Sequence, residues 1–299
     1  MHIAVTGANS SVGKTLLSHV AEQSDIEVVA GVRSQPAIAT LPVSAQIAAH
    51  VIRYDRDALS PVLAGVRCVV HLAGILFESR TSTYQTANVE ATQAVVDACA
   101  DAGVRHIVFV SVLGADPRSS NRYLRSKGDA EQVVIDSGIS ASIIRTPILL
   151  GPETAGGRAL VSLASQDRVK VLGGGHYSMR PLDVEDLSHA ILQCCRVEAD
   201  GATVHELAGP TPTTYRDLIQ SAGRRLGKEI SVGTLPVWVA KSGAAVLSAI
   251  RGHGMTPTVI DVITANETVQ TNADARLGVA LTPLTATLEK TLGLRTDQP

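Results

Sequence analysis

Through the first half of the chain, short β-branched apolar runs alternate with stretches whose apolar residues recur every three to four positions. The runs at 2–5, 27–32, 66–72, 106–111 and 142–149 predict buried strands. The spacing over 13–23, 88–102 and 124–137 predicts helices between them. Buried strands each followed by a helix imply an α/β fold, a doubly wound parallel sheet with helices on both faces. Gly103 and Gly138 stand where a left-handed glycine ends a helix ahead of the next strand. Past Gly151 the pattern loosens into a glycine-rich turn at 173–175 and helices over 184–195, 214–226, 236–250 and 285–292. The division expected is a first lobe over 1–150 and a smaller, mostly helical lobe over 151–299, some of whose segments return to the first sheet.

Composition narrows the function classes. With 45% apolar and 18% charged residues the chain folds as a globular protein. Its formal charge of −2 creates no global field for nucleic acid or anionic lipid. One Trp, five Tyr and two Phe are too few for the stacking platforms that bind single strands. Cys68, Cys99, Cys194 and Cys195 lack paired metal spacing, and the first two lie in apolar runs, which fits a reducing cytoplasm. The chain enters a strand at once, with no secretory pattern. The apolar stretch 235–250, containing Trp238, Val246, Leu247 and Ile250, is interrupted by Pro236 and Lys241 and is shorter than the ~20 residues of a span. A helix of the second lobe is preferred there over peripheral membrane contact. Nine histidines without ligand spacing predict no metal site.

The first strand runs directly into Thr6, Gly7, Ala8, Asn9, Ser10, Ser11, Val12 and Gly13, and a helix follows. Gly7 allows the tight turn, Gly13 lets helix and strand pack closely, and the helix N-terminus presents N–H groups to a pyrophosphate. Ser10 stands where a middle glycine is usual. Gly13, Lys14 and Thr15 also suggest a relaxed P-loop. Such a loop needs an Asp at the end of a later strand to hold Mg²⁺, and these strands end in Ala73-Gly74 and Ser111. A dinucleotide is therefore expected. The second strand ends at Arg33 instead of an acidic ribose ligand. An arginine there pairs a 2′-phosphate and favours NADP(H) over NAD(H), the bland option being a solvated surface side chain.

Four further motifs appear in order: His71-Leu72-Ala73-Gly74, Asn88-Val89-Glu90-Ala91-Thr92, Tyr123-Leu124-Arg125-Ser126-Lys127, and Arg145-Thr146-Pro147. With Thr6-Gly7-Ala8 and the run from Met179 to Asp186 they make the chain resemble the extended and atypical short-chain dehydrogenases/reductases over nearly its whole length. Within that family it is most similar to the branch containing the Rossmann-type accessory subunit of respiratory complex I, a likeness supported by Leu281-Thr282-Pro283-Leu284.

Residues four apart share a helix face, so Tyr123 and Lys127 project together. A neighbouring ammonium favours phenolate, which makes Tyr123 the expected acid/base and Lys127 its partner. The resemblance implies that Lys127 also holds the nicotinamide ribose and that Leu72, Ala73, Gly74, Asn88 and Pro147 line the cofactor. It further implies that Asp55 meets the adenine, though a turn-initiating Asp reads equally well. Family members carry a Ser or Thr just past the strand that here spans 106–111 to bind the substrate oxygen. Here Ser111 matches the first serine and Val112 replaces the second, leaving Ser111 as the candidate contact. Arg180 and Asp183 are expected to pair at the lobe junction. The function expected is hydride exchange with a carbonyl or secondary alcohol on a small, apolar substrate. Two alternatives stand beside it: a cofactor-binding structural or assembly protein without turnover, and a nucleotide-sugar epimerase or dehydratase that holds a diphosphate through Arg216, Arg224 and Arg225.

Overall fold

The computed structural model describes residues 1–197, 200–251 and 254–294, the side chains of 246–251 excepted. Strands β1 (His2–Thr6), β2 (Glu27–Val32), β3 (Ile47–Val51), β4 (Cys68–His71), β5 (His106–Val112) and β6 (Ser140–Thr146) form one parallel sheet in the order 3-2-1-4-5-6. A seventh strand, Ala202–Glu206, pairs parallel with β6 at the sheet edge. The order reverses between β1 and β4, so a crevice opens there beyond the carboxyl ends of the strands.

The helices that bear on this sheet are α1 (Ser11–Ala21), the short α2 (Gln35–Ile38) and α3 (Arg56–Leu59), then α4 (Ala91–Ala102), α5 (Arg122–Asp136) and, past the second-lobe helix α6 (Ala155–Ala164), α7 (Val184–Arg196). Period-two alternation splits the core between two faces. Ile3 and Val5 pack with Leu16, Leu17, Leu187 and Ile191 on the α1–α7 side. Ala4 packs with Val95, Phe109 and Val134 on the α4–α5 side.

Several boundaries differ from expectation for local reasons. β6 stops at Thr146 instead of reaching 149, since Pro147 has no N–H for the ladder. α4 is preceded by a π-helical turn, Gln85–Glu90, which re-aims the backbone around Asn88. α5 begins at Arg122 because the Asn121 side chain accepts from the N–H groups of Tyr123 and Leu124, and this places Tyr123 in the first turn.

The second lobe has its own core of Leu150, Leu160, Val171, Ile219, Val232 and Leu288. It is mostly helical, as expected, and carries short strands besides. Arg168–Leu172 and Ser231–Leu235 form a parallel pair within it. Meanwhile α7, and with it Ala273, Leu277 and Val279, packs into the first lobe's core. The helix expected over 236–250 spans Val237–Arg251, with Trp238 73% exposed; the side chains of Val246, Leu247 and Ile250 lie outside the described ones. No helix among the described residues is long and apolar enough to cross a membrane.

Gly13 tests a tight joint between the first loop and α1. A Cβ there would lie 2.4 Å from the Ala8 carbonyl oxygen, whereas one at Gly243 meets nothing within 4 Å. Gly13→Ala is expected to cost roughly 1–3 kcal/mol as an overpacking change. Gly243→Ala should be neutral or stabilising by up to about 1 kcal/mol through helix propensity. Thermal melts of the two variants check this, and equal melting temperatures would refute the packing argument.

Candidate active site

The loop leaving β1 is shaped by its glycines. Gly7 has φ +71°, a left-handed backbone that excludes most side chains, and a Cβ there would sit 3.1 Å from the Ala73 nitrogen and 3.2 Å from the Leu72 carbonyl carbon. Leu72 and Ala73 thus form the opposite wall, and the Leu72 N–H donates to the Thr6 carbonyl at 3.1 Å. At the start of α1, Ser10 Oγ accepts from the Gly13 N–H at 3.0 Å. That cap leaves the Ser10 proton free to donate and leaves the N–H groups of Ser11 and Val12 without intrahelical acceptors. Asn9 is exposed at the loop tip. A cradle of this shape, lined by helix N–H groups, fits a dinucleotide pyrophosphate.

Arg33 is exposed just beyond β2, and its charge reaches Tyr54. Burial pushes the Tyr54 hydroxyl up to about 12, opposed by the Thr6 side chain and the Gly7 backbone beside it. Asp55 caps α3, accepting from the Ala58 N–H at 3.0 Å, so the turn-initiating role is the one seen. Pro147 is buried directly after β6.

Across the crevice, Lys127 is only 6% exposed. Its ammonium donates to the Val110 carbonyl at 3.0 Å and lies 4.3 Å from the Phe109 ring centroid. Burial lowers its pKa to about 8, with Glu131 opposing the shift. A Cβ on Gly74 would come within 3.9 Å of Lys127 Nζ and 3.1 Å of Asn88 Oδ1, so these three residues converge. Asn88 is held on both ends of its amide. Oδ1 accepts from the Ile75 N–H at 2.8 Å, and Nδ2 donates to Ser126 Oγ at 2.9 Å.

Tyr123 is 8% exposed, and here the electrostatic expectation fails. Burial, and then neighbouring Tyr84, hold its phenol above the ordinary value. The Lys127 ammonium does not lower it, because that group is drawn inward to β5. Tyr84 packs 5.6 Å from Tyr123, donates to the Leu76 carbonyl at 2.8 Å and lies under the Arg122 guanidinium. Nothing in the sequence singled out Tyr84. Its one signal was an aromatic placed just ahead of the Asn88 motif.

Ser111 is 1% exposed, and its Oγ has no hydrogen-bond partner. Strand alternation gives it the side that Phe109 occupies, toward α5, while Val112 takes the opposite side. The expected pairing of Arg180 with Asp183 is not made. Arg180 donates to the carbonyls of Gly209 and Pro210. Asp183 instead meets Lys290 at 2.6 Å and accepts from Thr287. The arginines considered for a diphosphate are engaged locally, Arg216 with the Gly174 carbonyl, Arg224 with Ser221 and Arg225 with the Ser221 carbonyl.

Comparison with known proteins agrees with this geometry. Residues 7–194 match the family model described as NAD(P)H-binding. Subunit 9 of the mitochondrial NADH dehydrogenase [ubiquinone] 1 alpha subcomplex from Arabidopsis thaliana is 28% identical over 64% of the chain, which spans only 48% of that relative. A protein named ceramide reductase from Caulobacter vibrioides is 24% identical over 90% of the chain and 84% of its own length. Among solved structures, MoeE5 in complex with UDP-glucuronic acid and NAD superposes with a TM-score of 0.75 at 21% identity, covering 98% of both chains. The NADPH-dependent quinone oxidoreductase QOR2 from Escherichia coli, complexed with NADPH, gives 0.73 at 20% identity, covering 96% of this chain and 98% of its own. With the match running from the phosphate loop into α7, the chain belongs to the NAD(P)H-binding family, in its extended short-chain dehydrogenase/reductase-like form.

Proposed function

We propose that this chain is an NADP(H)-preferring reductase acting on the carbonyl of an apolar substrate, or the reverse on a secondary alcohol, in a reducing cytoplasm. The observation that carries the reading is the placement of Tyr123 and Lys127 in the first two turns of α5, with the Lys127 ammonium beside Gly74 and across from the glycine cradle. Thr6, Gly7, Ser10, Ser11, Val12 and Gly13 would hold the pyrophosphate, Arg33 the 2′-phosphate, and Leu72, Ala73, Gly74, Asn88 and Pro147 the nicotinamide half. The nicotinamide, when bound, supplies or accepts a hydride. Tyr123 gives its proton to the substrate oxygen as charge develops there, and a phenol held above its ordinary value is an acid that stays protonated until that moment. Lys127 orients the ribose. The name of the Caulobacter relative supports a lipid-like substrate.

One observation favours a second reading, in which the cofactor is held without turnover. Ser111 is enclosed in the core and Val112 carries no hydroxyl, so neither supplies a clear donor opposite Tyr123.

Calorimetric titration should find NADPH bound more tightly than NADH. Arg33→Ala is expected to remove roughly 1.5–3 kcal/mol from NADPH binding, the worth of a hydrogen bond to a charged group, and to leave NADH unchanged. Equal affinities in the wild type would overturn the preference.

Turnover separates the two readings. On a panel of ketones and secondary alcohols that includes long-chain apolar ones, Tyr123→Phe should lose ~10² to 10⁴ in rate while keeping cofactor affinity. A variant as active as the wild type would exclude Tyr123 as the acid. Tight NADPH binding with no turnover of any substrate would establish the second reading.

The Lys127 ammonium, with its pKa lowered to about 8, loses its charge as pH rises through that value. Cofactor affinity should therefore decline above about pH 8 in the wild type. Lys127→Met should bind more weakly at neutral pH and show no such decline, and an identical limb in the variant would assign it to another group.

A further inference from the structure

His71 is wholly buried at the end of β4 and has a partner on each ring nitrogen. Nδ1 lies 2.6 Å from Thr6 Oγ1, and Nε2 lies 3.1 Å from Thr92 Oγ1. The proton positions follow from counting. Thr92 Oγ1 donates its one proton to the Asn88 carbonyl at 2.6 Å, so it can only accept from His71. His71 therefore carries its proton on Nε2. Its Nδ1 is then an acceptor, and Thr6 Oγ1 must donate to it. The same count holds on the far side of Asn88. Ser126 Oγ donates to the Tyr123 carbonyl at 2.8 Å and so accepts from Asn88 Nδ2, which fixes the amide orientation.

We infer that His71, as the Nε2–H tautomer, is a positioning residue that ties Thr6 at the root of the phosphate loop, through Thr92 and Asn88, to the helix bearing Tyr123 and Lys127. Every link has a single allowed direction, so the loop and the helix cannot shift independently without leaving a buried polar atom unpaired, at a cost greater than the bond itself returns. The ring is also clamped by stacking on Phe109 at 5.5 Å, with the Lys127 ammonium on that same phenyl ring. Burial, reinforced by that ammonium, lowers the His71 pKa to about 3, which keeps the imidazole neutral as the chain of donors requires. Its role is geometric: it holds the pyrophosphate site and the catalytic helix at one separation. The inference rests on the dinucleotide reading of the loop, and the test separates the two.

Histidine ¹⁵N spectra of the full chain, recorded without cofactor, should show His71 as a single neutral Nε2–H tautomer that does not titrate from about pH 5 to 8. An Nδ1–H tautomer, or titration in that window, overturns the assignment whatever the chain binds. Calorimetry with NADPH then tests the coupling. His71→Phe, which keeps the ring, and Thr92→Val, which keeps the shape, should each weaken binding about tenfold, and the double variant no more than the worse single one. Additive losses, or unchanged affinity, would show that the chain of bonds is not coupled to the cofactor loop. If His71→Phe does not fold, Thr92→Val and the spectra still decide. A wild type that binds neither NADPH nor NADH removes the functional reading and the positioning role together, while the tautomer stands or falls on its spectrum.

Discussion

Thr6 and His71 face each other in register across β1 and β4, and both are buried. Two polar side chains at the point where the sheet reverses its winding impose a constraint on what surrounds them. Each must be given a partner or the site loses its stability. They satisfy one another, and the remaining bond of the imidazole reaches Thr92 and thereby the turn at Asn88. The glycines follow from the same crowding. Gly7 leaves room for the Leu72–Ala73 wall, and Gly74 leaves room for the Asn88 amide. The crevice at the switch point is thus enclosed by backbone and by side chains whose hydrogen bonds are already assigned.

The charged groups beneath α5 obey a related rule. Glu131 is buried and receives the Arg145 guanidinium in a bidentate pair at 2.5–3.2 Å, joining the helix to β6. Lys127, one turn earlier, has no such carboxylate in contact. It is held by a carbonyl dipole and an aromatic face, and burial, which these partners do not offset as a contacting anion would, lowers its proton affinity. One helix therefore places a structural ion pair and a titratable ammonium side by side. The contact made, not the residue type, separates them.

Much of the first lobe was legible because its signals are local. β1, the glycine turn and α1 are contiguous, and the apolar strands β1, β2, β4 and β5 need no distant partner to be recognised. The edge strand Ala202–Glu206 was not legible, since its Ala, Thr, His and Glu give no apolar run and only β6 makes it a strand. Arg168–Leu172 exposes Arg168 and Lys170 and finds its partner only at Ser231–Leu235. The residue types of the candidate site were readable from spacing, whereas their electrostatics were not. The four-residue interval of Tyr123 and Lys127 says that they share a face. It cannot say that Val110 would capture the ammonium or that Tyr84 would cover the phenol. Likewise Asp183 reads naturally as a partner for Arg180 three residues away until Lys290 arrives from the helix Leu284–Thr291.

That late arrival has a consequence for how the protein is made. Ala273, Leu277 and Val279 belong to the same core as Ile3 and Val5, and Thr282 bonds the Asp186 carboxylate on α7. At a synthesis rate of roughly 5–20 residues per second, the first strand leaves the ribosome on the order of tens of seconds before the segment that completes its core. Until then the apolar face under α7 lacks its cover. Over that interval the nascent chain carries an incompletely covered core and is open to aggregation or chaperone capture, even though its phosphate-loop glycines have long been made.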